Sequence, residues 1–406
     1  MQAYKLTRRD FIKVSAAAGG GLLLGFPLTG LGRTEQAADT KGFAPNAWIS
    51  IGSDDRVILR VASSEMGQGI MTGISMILAE ELDADWSTVK AEFAPADKAY
   101  YNPLMRRQAT GGSTAVRGFW NPLRKAGAVA RERLVQAAAQ QWQVDTADCR
   151  AVRGAVMHEQ SGRTLRFGAL AAAAATLPVP DQVFLKEPDE FVLLGKPMPR
   201  LDTPLKVDGS AVFGMDVQLD GLLSASVARC PTIGGSVKSF EAKAALAMPG
   251  VKRVKQISSG VAVIAEHYWA AKQGRDALKI EWHAGPNQGL DSKLITAEFV
   301  KAVASTGVVE RNDGDIETGL KKAGRTLEAD YTVPYQAHAC MEPMNATADV
   351  RADGCDLYLP TQNQTRSQAA AMKLTGLPQE KVRVHTTYLG GGFGRRGEED
   401  FVSDAV

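Results

Sequence analysis

The chain has 406 residues, which is long for one compact core and predicts two or three domains. Its composition is that of an ordinary globular protein, with 45% hydrophobic and 23% charged residues. The formal net charge is only +2 and the basic residues are spread along the chain, so it lacks the dominant basic field that nucleic-acid and membrane-surface proteins carry.

The N-terminal residues have the pattern of an export signal. The basic stretch KLTRRDFIKVS precedes a glycine-interrupted apolar run that is too short to span a membrane. Arg8 and Arg9 are typical of a twin-arginine signal, which carries proteins that have already folded. An ordinary signal peptide, or a basic terminus that arose by chance, is the alternative. We therefore expect residues 1–38 to be a signal that is recognised by the twin-arginine export machinery. The mature protein would then be periplasmic, and its attachment to the inner membrane is left open.

Strand and helix patterns alternate after this signal. Apolar residues alternate around the turn SDD, which predicts a β-hairpin over residues 49–61. Helical spacing follows in IMTGISMILAEELDAD, then a strand in STVKAEFAPA, then a Gly/Ser/Thr turn that leads into a long alanine-rich helix. A strand pair and a further helix complete a segment that we assign to residues 39–177.

The second part of the chain has a different order of linkers, strands and helices. A proline-punctuated linker at residues 178–194 precedes an α+β unit at residues 195–285, which begins with the strand-rich KVDGSAVFGMDVQLDGLLSASVARC. Residues 286–325 are predicted to be a polar linker with one helix. In residues 326–406 two strands precede TQNQ, a helix ends at Gly376, and the strand KVRVHTTYL runs directly into glycines.

Side chains of the usual catalytic or metal-binding kinds form few patterns. The four cysteines are Cys149, Cys230, Cys340 and Cys355. They form no C-x-x-C pair, so no metal or iron–sulfur site with protein ligands is expected on this chain. Buried thiols are the simplest interpretation, and a Cys340–Cys355 disulfide is the alternative. HACMEP brings His338 near Glu342, where packing or exposure is favoured over a catalytic pair.

The first of three glycine-bearing turns is EMGQGIMT, at a strand-to-helix junction. Gly67 and Gly69 allow the backbone to approach a ligand closely. Gln68 between them could place both of its amide groups on one flat heterocycle, and a turn with a surface glutamine is the alternative.

The second turn is ATGGSTAVRG, which precedes the long helix. Gly111 and Gly112 followed by Ser113 and Thr114 are consistent with a phosphate cradle with hydroxyl donors. A plain helix N-cap at Ser113 or Thr114 is an equal alternative.

The third turn is GGGFGRR, residues 390–396. Its spacing fits neither G-x-G-x-x-G nor a Walker A loop, which argues against a nicotinamide-dependent dehydrogenase. The residues describe a backbone cradle with cationic support from Arg395 and Arg396. A tight turn with solvated arginines is the alternative.

These stretches together resemble the molybdenum hydroxylase (xanthine dehydrogenase and aldehyde oxidase) family, and within it the branch that contains the large chain of isoquinoline 1-oxidoreductase and related aldehyde dehydrogenases. The resemblance is carried by MGQGIMT, TGGST, TQNQ and GGGFGRR, and it covers nearly all of residues 48–406. The position of the first two stretches before the α+β unit also resembles this branch.

The resemblance implies an α+β fold in which residues 195–285 form an α/β hammerhead domain. Residues 39–177 and 326–406 would belong to molybdopterin-binding domains, the second incomplete at its C-terminus. The implied cofactor is molybdopterin cytosine dinucleotide, whose molybdenum is held by the sulfurs of the pterin, so that no protein ligand is needed.

Residue roles follow from the same resemblance. Gln362 would hydrogen-bond an oxygen ligand of molybdenum, and the backbone of Phe393 and Gly394 would approach the metal; these three are the implied catalytic set. The residues implied to bind the cofactor are Gly67, Gln68, Gly69, Gly111, Gly112, Ser113, Thr114, Gln362, Gly391, Gly392, Phe393, Gly394 and Arg395.

The implied chemistry is hydroxylation of N-heteroaromatics or oxidation of aldehydes, with water as the oxygen source and a glutamate as general base. Glu398 and Glu399 do not match the motif of that glutamate, so we expect it beyond Val406, on a chain that is a fragment or half of a split subunit. Gly397, where xanthine-type members carry a glutamate, argues against a purine substrate.

Electrons would pass to a separate 2Fe–2S subunit, with a cytochrome c as the candidate next acceptor. The alternative function is a non-catalytic cofactor-binding half-subunit, or an inactive fragment that needs another chain for the catalytic glutamate.

Overall fold

The computed structural model describes residues 47–406 and three short strands before them, β1 (Ala3–Lys5), β2 (Ser15–Ala17) and β3 (Gly21–Gly25). Arg8 and Arg9, on which the predicted export signal depends, lie outside the described residues. The chain divides into two compact units. The first contains Met1–Gln218 and Cys340–Val406, and the second is Leu219–Ala339. Both contain helices and sheets, so the predicted α+β class is confirmed.

A hairpin and a parallel crossover form the first sheet of the first unit. β4 (Ala47–Ile51) and β5 (Val57–Val61) are antiparallel, as the alternating apolar residues predicted. α1 (Ile70–Leu82) then carries the chain to β6 (Val89–Phe93), which pairs with β5 in parallel. The strand order is β2-β3-β4-β5-β6.

The long helix α2 (Thr114–Trp142) packs along α1, and the two share the main hydrophobic core with Trp48 and Phe167. The elements that follow are β7 (Cys149–Val152), β8 (Ala155–His158), β9 (Thr164–Arg166), α3 (Phe167–Thr176), β10 (Gln182–Phe184) and α4 (Thr203–Val207). β7, β8 and β9 form an antiparallel sheet, and β10 pairs with β1.

The strand pattern predicted from Lys206 onward was wrong as far as Leu223. α4 occupies the start of that stretch, because Pro204 stands in the first helical turn, where its missing amide costs nothing. The next strand begins only at Ser224.

The second unit contains two small antiparallel sheets. Its strands are β11 (Ser224–Ala228), β12 (Ser236–Glu241), β13 (Val251–Ile257), β14 (Gly260–Ala265) and β15 (Lys279–His283), in the orders β11-β14-β13 and β12-β15. Its helices are α5 (Lys243–Leu246), α6 (Tyr268–Asp276), α7 (Ser292–Val303) and α8 (Ile316–Lys322). The stretch 286–325 thus contains two helices rather than the predicted one. Each follows an aspartate, Asp291 or Asp315, whose carboxylate accepts an amide hydrogen bond as an N-cap.

After the second unit, the chain repeats the order of the first sheet. β16 (Thr347–Val350) and β17 (Cys355–Leu359) are antiparallel, α9 (Gln364–Thr375) crosses over, and β18 (Val382–Thr386) pairs with β17 in parallel. A glycine loop then leads into α10 (Asp400–Ala405), much as the turn TGGST leads into α2. β18 ends before the glycines, so the predicted continuous strand was too long.

The contact between α1 and α2 predicts the effect of one methyl group. A Cβ at Gly127 would lie 2.5 Å from the Leu78 carbonyl oxygen and 2.8 Å from the Glu81 Cβ. We expect Gly127→Ala to lower the free energy of unfolding by about 1–3 kcal/mol in denaturant titration, because the backbone of α1 cannot move aside cheaply. Gly73→Ala is the matched control: it lies in α1 with open space at its Cβ, and should be neutral or slightly stabilising. Equal losses in both variants would contradict this account of the helix contact.

Candidate functional site

Two strand-to-helix junctions face each other in the first unit. Residues 62–69 join β5 to α1 and residues 360–363 join β17 to α9, so both lie at the carboxyl ends of parallel strands, where ligand sites collect in α/β sheets. Ser64 Oγ donates to the Thr361 carbonyl oxygen at 2.6 Å, across 297 residues of sequence. Gln364 Nε2 donates to Ser64 Oγ at 3.0 Å. The two junctions are therefore in direct contact.

The turn TGGST before α2 is joined to the same place. The Thr110 amide donates to the Gln362 carbonyl oxygen at 2.7 Å, and Gln362 Nε2 donates to the Thr110 carbonyl oxygen at 3.0 Å. Thr110 Oγ1 also accepts from the Ser64 amide at 2.8 Å. All three residues are buried, so these bonds are shielded from water.

The loop GGGFGRR lies against Gln362 as well. The Gly394 amide donates to Gln362 Oε1 at 3.1 Å. A Cβ at Gly392 would lie 2.7 Å from Gln362 Oε1 and 2.8 Å from Met66 Sδ. A methyl group at residue 392 would therefore displace the ends of these two side chains. All four motifs of the sequence analysis are thus neighbours.

The free donors of this site are backbone amides. Within residues 47–406, the amides of residues 111–113 and 391–393 donate no hydrogen bond to another described residue. No heavy atom beyond the chain neighbours lies within 4 Å of a Cβ position at Gly67, Gly111 or Gly394. Backbone amides without a partner suit an oxyanion such as a phosphate, or the polar edge of a flat ring, and at Gly111 such an amide also has open space beside it.

Several side chains that the sequence predicted as ligand contacts are bonded within their own loops. Gln68 Oε1 accepts from the Met66 amide at 2.7 Å, and Gln68 Nε2 donates to the Ser64 carbonyl oxygen at 2.9 Å. Thr114 Oγ1 donates to the Gly111 carbonyl oxygen at 2.8 Å. These side chains shape the backbone turns, and their roles toward a ligand stay predictions.

The two arginines of the third turn have separate partners. Arg395 forms a two-point ion pair with Asp400 at 2.8 and 2.6 Å, which raises the pKa of its guanidinium. Arg396 is fully buried and donates to the Gly391 carbonyl oxygen at 2.8 Å. Neither is a solvated arginine on an open turn.

Glu65 was not singled out from the sequence, yet it organises the first loop. Its carboxylate is buried and accepts from the amides of Gly67, Gly69 and Met71 at 2.9, 3.0 and 2.9 Å. It therefore fixes both glycines and caps the start of α1. An acidic residue shortly before a helix start is the signal that could have identified it.

Residues 200–206 hold Glu65 in place. Arg200 donates to the Gly67 carbonyl oxygen at 3.2 Å and to Glu65 Oε1 at 3.3 Å. Arg200 and Lys206 also bind Asp202, whose carboxylate is buried. Burial raises the pKa of Asp202, but hydrogen bonds from Arg200 and Lys206 outweigh it and lower the pKa from 3.8 to about 2. No local pattern links this cluster to Glu65, and the sequence analysis assigned it to the neighbouring domain.

Side chains suited to holding a bare metal ion do not cluster here. Among the described residues, no group of three or more His, Cys, Asp or Glu side chains could bind one. The four cysteines are free thiols, so the Cys340–Cys355 disulfide is not formed. No helix within the described residues is long and apolar enough to cross a membrane.

Comparison with known proteins identifies what this arrangement is similar to. Two families described as molybdopterin cofactor-binding domains match residues 5–210 and 300–405. The chain is 32% identical to the beta subunit of isoquinoline 1-oxidoreductase of Brevundimonas diminuta, over 100% of this chain and 58% of that protein.

Two further relatives are 29% identical. One is the membrane-bound aldehyde dehydrogenase (pyrroloquinoline-quinone) of Gluconacetobacter polyoxogenes, over 99% of this chain and 53% of that protein. The other is a subunit of nicotinate dehydrogenase of Pseudomonas putida, over 88% of this chain and 30% of that protein. The chain thus spans about half the length of the first two relatives and less of the third.

The Asp202 cluster makes one stabilising contribution dependent on pH. Because the folded pKa is depressed, this contribution is fully present above the unfolded pKa near 3.9 and is lost as pH falls through about 2. We expect Asp202→Asn to lower the free energy of unfolding by roughly 2 kcal/mol at pH 7, and by about half as much at pH 3. Denaturant titrations of both proteins at each pH measure this, and a difference that grew on acidification would contradict it.

The close approach at Gly392 predicts a second effect. Gly392→Ala should push Gln362 and Met66 away from the loop, with a loss of about 1–3 kcal/mol in the free energy of unfolding. Gly397→Ala, five residues later with open space at its Cβ, is the control and should change little. Thermal and denaturant unfolding measure both, and an unaffected Gly392→Ala protein would show that the loop can shift freely.

Proposed function

The chain belongs to the molybdenum hydroxylase family, through two molybdopterin cofactor-binding domain matches, and from that premise we propose that it is the molybdopterin-binding subunit of an oxidoreductase. The observation that carries the proposal is the meeting of four loops that keep backbone amides without a hydrogen-bond partner among the described residues. Its substrates are proposed to be N-heteroaromatics or aldehydes, the classes named for the relatives, with water as the oxygen source.

The donors of the site fit the proposed cofactor. The free amides of residues 111–113 and 391–393 would bind its phosphates and the polar edge of its pterin, and the open space at Gly67, Gly111 and Gly394 would admit a flat ring. Gln362 uses one N–H on Thr110, which leaves the second N–H of that amide for an oxygen of the cofactor. When bound, the molybdenum centre would supply the two-electron oxidation of the substrate carbon.

The buried carboxylates beside the site are bonded to the loops around them. Glu65 accepts from three amides, and Glu342 accepts from the Gly390 amide at 2.9 Å and pairs with Arg396 at 3.0 Å. Carboxylates engaged in this way hold the loops in place. We propose that the general base comes from outside these loops, which keeps the half-subunit function as the second candidate.

The remaining features of the proposal rest on family likeness. The cofactor is proposed to be the cytosine dinucleotide form, and the unit Leu219–Ala339 to contain the α/β hammerhead domain. A 2Fe–2S subunit would take the electrons and a cytochrome c would receive them next, in keeping with two relatives that are themselves named as subunits. Export to the periplasm by the twin-arginine pathway is proposed from residues 1–38 alone.

Metal and pterin analysis of the purified protein tests this function. We expect about one molybdenum and one oxidisable pterin per chain, and dye reduction with isoquinoline, nicotinate or an aldehyde. Bound molybdenum without turnover for any of these, in the presence of a 2Fe–2S subunit, would favour the non-catalytic half-subunit. Absence of both molybdenum and pterin from protein made in a competent host would contradict both candidates.

A further inference from the structure

The glycine loop of residues 390–396 has little internal bonding to define its shape. Its own backbone supplies the bond from the Arg395 amide to the Gly392 carbonyl oxygen at 2.9 Å. Phe393 is held at φ 52° and Gly394 at φ 94°, both left-handed, and the Phe393 side chain is 70% exposed. Because a left-handed conformation is costly for a phenylalanine, contacts from outside the loop have to maintain it.

Glu342 holds the beginning of this loop through hydrogen bonds. Its amide donates to the Gly390 carbonyl oxygen at 3.0 Å, and its Oε2 accepts from the Gly390 amide at 2.9 Å. A Cβ at Gly390 would lie 2.3 Å from the Glu342 Cβ, so only glycine allows the approach. The other carboxylate oxygen accepts from the Met215 amide at 3.1 Å and Asn345 Nδ2 at 2.9 Å, which anchors Glu342 to other parts of the unit.

Arg396 lies at the end of the loop, and its side chain binds residues at the beginning of the loop. Its side chain is fully buried, donates through Nε to the Gly391 carbonyl oxygen at 2.8 Å, and pairs through Nη2 with Glu342 Oε2 at 3.0 Å. Its own carbonyl oxygen accepts from the Gln362 amide at 2.8 Å. The pair therefore connects both ends of the loop to each other and to Gln362.

We propose that Glu342 and Arg396 are a positioning pair that sets the direction of the free amides of residues 391–393, an inference that rests on the proposed function for what those amides bind. The Gly391 carbonyl oxygen is held by Arg396 and the Gly394 amide by Gln362, while the amides of residues 392 and 393 between them donate no hydrogen bond to another described residue. The side chain of the neighbouring Arg395 has no part in this, since its partner is Asp400 outside the loop.

Hydrogen exchange read by mass spectrometry tests the pair without any cofactor. In Glu342→Gln the guanidinium keeps only neutral partners, and in Arg396→Met the carboxylate loses its cation. Each single variant should raise the exchange rate of the Gly390 and Gly394 amides roughly a hundredfold, because one partner of a buried pair is left uncompensated. The double variant Glu342→Gln/Arg396→Met should show less than the product of the two single effects. Arg396→Lys, which keeps a cation, should restore part of the Gly390 protection.

Arg166→Met is the matched control, since it removes an exposed ion pair with Asp55 in the same unit. It should leave the exchange of Gly390 and Gly394 unchanged. Single variants that lower the thermal midpoint but leave these two amides as protected as in the wild type would overturn the proposal. Single effects that simply multiply in the double variant would overturn it as well.

Molybdenum content separates this proposal from the proposed function. If the wild-type protein holds molybdenum, each single variant should hold several-fold less of it than the Arg166→Met control, and equal contents would overturn the positioning role. If the wild-type protein holds neither molybdenum nor pterin, the proposed function fails. The exchange experiment still decides in that case whether the pair orients the loop.

Discussion

The hydrogen bonds between the carboxyl ends of β5 and β17 are the constraint on which the rest of the site depends. Ser64, Thr110 and Gln362 exchange bonds across this edge while buried from water. Leaving one such buried group unpaired costs about 1–3 kcal/mol, so the junctions are stable only together. The loop also packs closely here, since a methyl group at residue 392 would have to displace the Gln362 side chain.

Two glycine-bearing loops of the site are ordered in the same way, by a buried glutamate that accepts hydrogen bonds from their amides. A glycine-rich loop loses much conformational entropy when it is ordered, and its amides need acceptors. Glu65 supplies acceptors to the first loop and pairs with Arg200, and Glu342 supplies one to the third loop and pairs with Arg396. Buried charged side chains thus define the loops from inside, which leaves other backbone amides free on the outer surface.

The sequence predicted the local elements well and the supports of the site poorly. The hairpin at residues 49–61, the helix that became α2 and the four glycine- or glutamine-bearing motifs depend on patterns within a few residues, and periodicity reveals such patterns. Arg200 and Arg396 bind Glu65 and Glu342, which lie far along the chain, and nothing near them in sequence marks those contacts. Even Gln68, which was singled out, has its amide engaged by its own loop.

The second unit, Leu219–Ala339, lies in the chain between the two halves of the first. Ser64 and Thr361 consequently meet across 297 residues, while α1, α2 and the sheet beside them pair largely with near neighbours. Contacts between distant residues form slowly. The conformational entropy of the long intervening segment has to be lost before the hydrogen bonds that compensate for it can form. The first half can therefore assemble during synthesis, and the edge that unites the four loops is expected to be the last part of the unit to order itself, after residue 396 has been added.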